Sequence, residues 1–166
     1  MNTTEVAALN HDLQERIFDA DLNERYNDTI GRILGRLDLG VRLALAASAI
    51  IVAVCGNSLV GPQHPKIWAN IALAISLIST TVMPLFKLNK LIPAIESERL
   101  RWIQLKNDFK NVWNDAKSDH DWDAALKELK KLRKKETATE KSGGIVPQWA
   151  WLIEKCRQEV VKAYTK

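Results

Sequence analysis

Cysteine is scarce. Cys55 and Cys156 are the two in the chain, one inside an apolar run and one in a helical stretch near the end, too few and too far apart for a disulfide framework or a zinc site. The histidines are equally scattered: His11 lies in the polar N-terminus, His64 in a turn and His120 in a charged loop, so no catalytic or metal-binding cluster of imidazoles is expected. Glycine-rich phosphate loops, paired-histidine motifs and nucleophile elbows are missing, and no arginine is followed closely by a histidine in the manner of helical nucleases. No enzyme, cofactor or metal is expected on these grounds. The opening stretch MNTTEVAALNHDLQER is polar and acidic where a secretory signal needs a basic and then an apolar region, so no cleaved export signal is expected.

What is present is apolar sequence in two blocks. With 166 residues the chain has the length of about one domain, and its charged fraction of 27%, net charge of +4 and mean hydropathy of -0.18 are ordinary. Those averages conceal LALAASAIIVAVCGNSLVGPQ from Leu43 and IWANIALAISLISTTVMPLF from Ile67, neither holding a charged side chain. About 20 residues at 1.5 Å each cover a hydrocarbon layer of roughly 30 Å. Flanking charge points the same way, because cytoplasmic ends of membrane helices collect Lys and Arg. Arg32, Arg36 and Arg42 precede the first run, Lys87, Lys90, Arg99 and Arg101 follow the second, and Lys66 alone marks the turn between, where Pro62, Pro65 and Trp68 suit an outer interface. The expectation is an all-α membrane protein: a two-helix transmembrane hairpin with both termini cytoplasmic, flanked by helices forming a bundle and assembling as an oligomer. Its divisions are an N-terminal amphipathic helix over 1–38, the hairpin over 39–86 with spans at about 41–61 and 67–86, and a cytoplasmic helical region over 87–166.

Polar atoms inside the hairpin, on Asn57, Ser58, Asn70, Ser76, Ser79, Thr80 and Thr81, must be satisfied by other helices, by water, or by their own preceding carbonyls. They are candidates for helix packing or for the lining of an oligomeric pore. Small residues recur beside them, at Ala46, Ala49, Ala53 and Gly56 and at Ala69, Ala72, Ser76 and Ser79, and small faces let helices approach closely.

Outside the runs the periodicity is helical. Leu13, Ile17, Phe18, Leu22, Tyr26, Ile30, Ile33, Leu34 and Leu37 predict an amphipathic helix with a break near Asp19 and Asp21. Leu88, Leu91, Ile95, Trp102, Leu105, Phe109, Val112 and Ala116 follow alternating three- and four-residue steps, predicting a stalk that continues the second run and packs on the N-terminal helix or on neighbouring subunits. SDHDWDAALKELKKLRKKE from Ser118 has acid at its start and Lys130, Lys131, Arg133, Lys134 and Lys135 at its end, the distribution a helix dipole favours. Asp119, His120, Asp121 and Asp123 read as capping in preference to metal ligands. The basic cluster is either a solvated face or a site for anionic lipid headgroups or a nucleotide. TATEKSGGIVPQ reads as a linker, and a last helix begins at Pro147, its stripe of Trp149, Leu152, Ile153, Cys156, Val160 and Tyr164 burying Cys156.

The succession of a helix ending in RLDLGVR, an apolar hairpin with a short turn, and LNKLIPAIESERLRWIQLKNDFKNVWNDAK resembles the SLATT group of bacterial two-transmembrane effector domains. The likeness covers about Tyr26 to Lys117; from Asp121 onward there is no counterpart. It implies an inner-membrane effector of antiviral defence that oligomerises and forms a pore or disrupts the membrane when triggered, halting growth. Implied partners are membrane lipids, further copies of the chain, and a nucleotide-signalling enzyme, a nucleotide sensor or a retron-type reverse transcriptase complex. The same residues also fit a non-enzymatic membrane anchor or scaffold presenting a cytoplasmic helical interaction module.

Overall fold

The computed structural model describes residues 2–56, 70–77, 87–142 and 146–165, the side chains of 51–56 and 142 excepted. The described residues are helical: α1 over Thr3–Gly56, α2 over 70–77, α3 over Leu88–Asp119, α4 over Trp122–Ser142 and α5 over Ala150–Tyr164, with no strand among them. The all-α expectation is met. The transmembrane hairpin is not: among the described residues no helix is long and apolar enough to cross a membrane. Within the described residues the charge-free part of α1 after Arg42, Leu43–Gly56, covers about 21 Å and the described part of the second apolar run, 70–77, about 12 Å, each short of the roughly 30 Å of a hydrocarbon layer.

Two compact units divide the chain, one of Met1–Gly31 with Pro93–Lys166 and one of Arg32–Ile92. The first is built on seams of heptad-like spacing. Leu9, Leu13, Ile17 and Ala20 of α1 meet Trp102, Leu105, Phe109 and Ala116 of α3 and Ala125, Leu129 and Leu132 of α4 in one core, with Val112, Trp113, Trp122 and Leu126 packed around it. From α5, Leu152, Cys156 and Val160 are buried. Burying side chains of this size stabilises by about 1.5–3 kcal/mol each relative to leaving them in water, which is what holds three long helices together against their ordering entropy.

Four helix limits differ from those the periodicity predicts. α1 runs unbroken past Asp19 and Asp21, because Asp21 is buried and satisfied by Lys106 and Arg25. α3 starts at Leu88 and does not continue from residue 87, since Lys87 has φ 44, a left-handed conformation outside a right-handed helix; its carbonyl accepts from the Lys90 and Leu91 amides. α4 extends through TATEKS to Ser142, and α5 begins after Pro147, at Ala150.

Candidate interaction surfaces

Of the residues expected to line a pore or pack a hairpin, Asn57, Ser58, Ser79, Thr80 and Thr81 lie outside the described residues. Asn70 is exposed and Ser76 half-buried on α2, about 120° apart around the helix axis. These two do not share a face. Ala46 and Ala49 are exposed, whereas Ser48 is buried and its hydroxyl donates to the Leu45 carbonyl at 2.8 Å. Ser48 and Ser97, which the sequence reading did not single out, donate to carbonyls of their own helices.

The acidic loop caps a helix. Asp121 Oδ1 accepts from the Ala124 amide at 2.9 Å at the start of α4, and His120 turns the chain there with φ 57. No group of three or more metal-ligating side chains occurs among the described residues.

The basic cluster divides in two. Arg133 pairs with Asp12, Lys131 with Glu128 at 2.6 Å and Lys135 with Asp108 at 3.3 Å, so these fasten α4 internally or to α1 and α3. Lys130 and Lys134 remain on the outer face, with Lys127 and Lys141 exposed beside them. Sequence reading stopped at the dense run and missed Lys127 and Lys141. The signal was available in the 100° step of a helix.

A groove of about 1170 Å³ in the first unit is lined by Phe18, Trp113 and Tyr164 together with Asp21, Lys106 and His11. Several of its polar groups are engaged. Lys106 donates to Asp21 at 3.1 Å and to Glu24, Arg25 reaches Asp21 at 3.3 Å, and Trp113 Nε1 donates to Asn10 at 2.6 Å. Burial pulls the Lys106 ammonium down, but the hydrogen bonds and charges of Glu24 and Asp21 more than reverse this and leave it raised above its ordinary value. The pairing ties Lys106 of α3 to Asp21 and Glu24 of α1.

The second unit presents a different surface. Leu39, Leu43, Ala46 and Ile50 follow one another along α1 at steps of four, three and four residues and all face solvent, the three large ones 57%, 62% and 64% exposed. Leu34 and Ser48, on the opposite side of the helix, are buried. On α2, Ile71, Leu73 and Leu77 are exposed around a buried Ala72. Leu37 is exposed on the other side of α1, in line with Ser48, and Arg42 is held beside the row by Asp38 at 2.8 Å. Comparison of the chain with protein-family models, with curated proteins and with solved structures finds no match.

Proposed function

We propose that this chain is a non-enzymatic helical interaction module that assembles with copies of itself through the apolar seam of its second unit. The observation that carries the reading is the solvent-facing row Leu39, Leu43, Ala46 and Ile50. Its steps of four, three and four residues are those of a two-helix seam, a pattern that is its own complement when a second copy is laid against it. The pore-forming and membrane-anchor readings both need crossings that the described helices do not provide, so the helical interaction module, without the anchor, is the part developed here.

Magnitudes support a pair of copies only when α2 takes part. Removing the exposed part of each Leu or Ile from water is worth roughly 1–2 kcal/mol, so Leu39, Leu43 and Ile50 contribute roughly 6–12 kcal/mol across two chains. Association itself costs about 4–15 kcal/mol. Leu73 and Leu77, which share a face of α2, add roughly 4–8 kcal/mol across two chains and turn a marginal contact into a stable one. In sedimentation velocity the full chain is expected to run well above its 18.8 kDa monomer mass, and Leu43→Glu with Ile50→Glu to return it to the monomer with unchanged helical circular dichroism. A wild-type chain that stays monomeric at its highest workable concentration overturns the proposal.

A further inference from the structure

From Lys127 onward the outer face of α4 carries positive charge alone. At 100° per residue Lys127, Lys130, Lys134 and Lys141 fall within about 60° of one another around the helix axis, with Lys131 at the edge of the row. All are exposed. The buried set, Ala125, Leu129, Leu132, Glu136 and Thr139, lies on the opposite side. Glu128 sits off to one flank, where it pairs with Lys131. The acidic residue that does share the face, Asp123, stands in the first turn, ahead of Lys127.

This row works against the helix that holds it. Lys127 with Lys131 and Lys130 with Lys134 are like charges one turn apart, an arrangement that destabilises a helix, and the helix dipole offsets it only near the last turn. From the charge pattern we infer that this face binds the sugar–phosphate backbone of a nucleic acid duplex, without reading its sequence. The row from Lys127 to Lys141 is about 21 Å long, and a duplex offers one phosphate charge per about 1.7 Å of axis. Charge complementarity is therefore available along the whole row. An anionic lipid surface is disfavoured because a helix lying in a bilayer interface interleaves large apolar residues with its cations, and here the uncharged residues on that face between the lysines are Thr137 and Ala138, with Ala124 ahead of them. Base stacking is disfavoured for the same reason: no aromatic ring lies among them. Lysine without arginine on the row gives point-charge contacts and not bidentate ones.

The test is fluorescence anisotropy of a labelled random-sequence duplex titrated with the full chain across a salt series. Four phosphate contacts predict a loss of about 100-fold in affinity between 50 and 200 mM salt. Replacing Lys127, Lys130, Lys134 and Lys141 by Gln, which keeps helix propensity, should abolish that binding or cut the salt slope by about 3–4. The control replaces Lys155, Lys162, Lys110 and Lys117 by Gln, equal in charge and off α4, and should leave the slope within about 1. No duplex binding at 50 mM salt, an equal loss in both variants, or binding to vesicles of anionic phospholipid in place of the duplex overturns the inference.

Discussion

The Tyr26 hydroxyl joins two elements far apart in sequence. It donates to the Pro147 carbonyl and accepts from the Trp149 amide at 2.9 Å, fixing the chain where it enters α5; Trp149 has extended backbone and no side-chain cap of its own. Burial pushes the phenol above its ordinary value, the Trp149 hydrogen bond pulling the other way, so it stays protonated and able to donate. In Tyr26→Phe the ring still packs, but the Pro147 carbonyl and the Trp149 amide lose their partner. An unmet buried polar group costs about 1–3 kcal/mol. The expected result is faster hydrogen exchange in α5 amides, with exchange at Leu129 and Phe109 unchanged. Equal protection of α5 in variant and wild type would show that Leu152, Cys156 and Val160 hold the helix without the hydroxyl.

At the scale of the helix, α4 shows how far the sequence could be read. Ala125, Leu129 and Leu132 are legible as a seam because they are apolar at helical spacing, and Ile95, Trp102, Leu105, Phe109 and Ala116 are legible on α3 for the same reason. The seam of α4 then continues through Glu136 and Thr139, which a hydropathy pattern reads as the end of a helix. Glu136 is only 4% exposed and takes the Arg16 guanidinium at 2.9 Å, while the Thr139 hydroxyl donates back to the Lys135 carbonyl. A polar residue keeps a core position when a partner 120 residues away satisfies it, and no local pattern announces such a partner. The uninterrupted path of α1 past Asp21 has the same origin in Lys106. The candidate surfaces were half legible. The dense lysine run was visible while its true row was not, and Leu43 and Ile50 read as parts of a charge-free span, with Leu39 ahead of it at the start of the hairpin.

Glu136 also gives this helix a pH dependence. Burial pushes its carboxyl above the ordinary 4.5, and the charge and hydrogen bond of Arg16 pull it back only in part. The folded chain thus binds this proton more tightly than the unfolded chain. The contribution is full below about pH 4.5 and is lost as pH rises through the raised folded value. Subtracting the urea stability of Glu136→Gln from that of wild type should give a difference that moves against wild type across this window and is flat above it. A difference that moves toward wild type with rising pH would mean that Arg16 outweighs burial.

For the whole molecule the decisive quantity is how stability depends on concentration. If copies associate only when folded, mass action raises the melting temperature as total chain increases, and the effect disappears when the interface is removed. A single folded chain shows no such dependence. Leu43→Glu with Ile50→Glu alters side chains that the isolated chain leaves in solvent, so at low concentration its melting temperature should match wild type. At high concentration wild type should rise by several degrees, since about 1 kcal/mol moves a domain of this size by about 2–4 °C, while the variant stays level. Phe109→Ala behaves oppositely: Phe109 is fully buried in the first unit, and its loss of about 3–5 kcal/mol should lower the melting temperature at every concentration. Curves for wild type and the double variant that stay superimposed at all concentrations would leave the exposed leucines without a partner in the chain itself, and the row on α1 would then belong to an interface with some other protein.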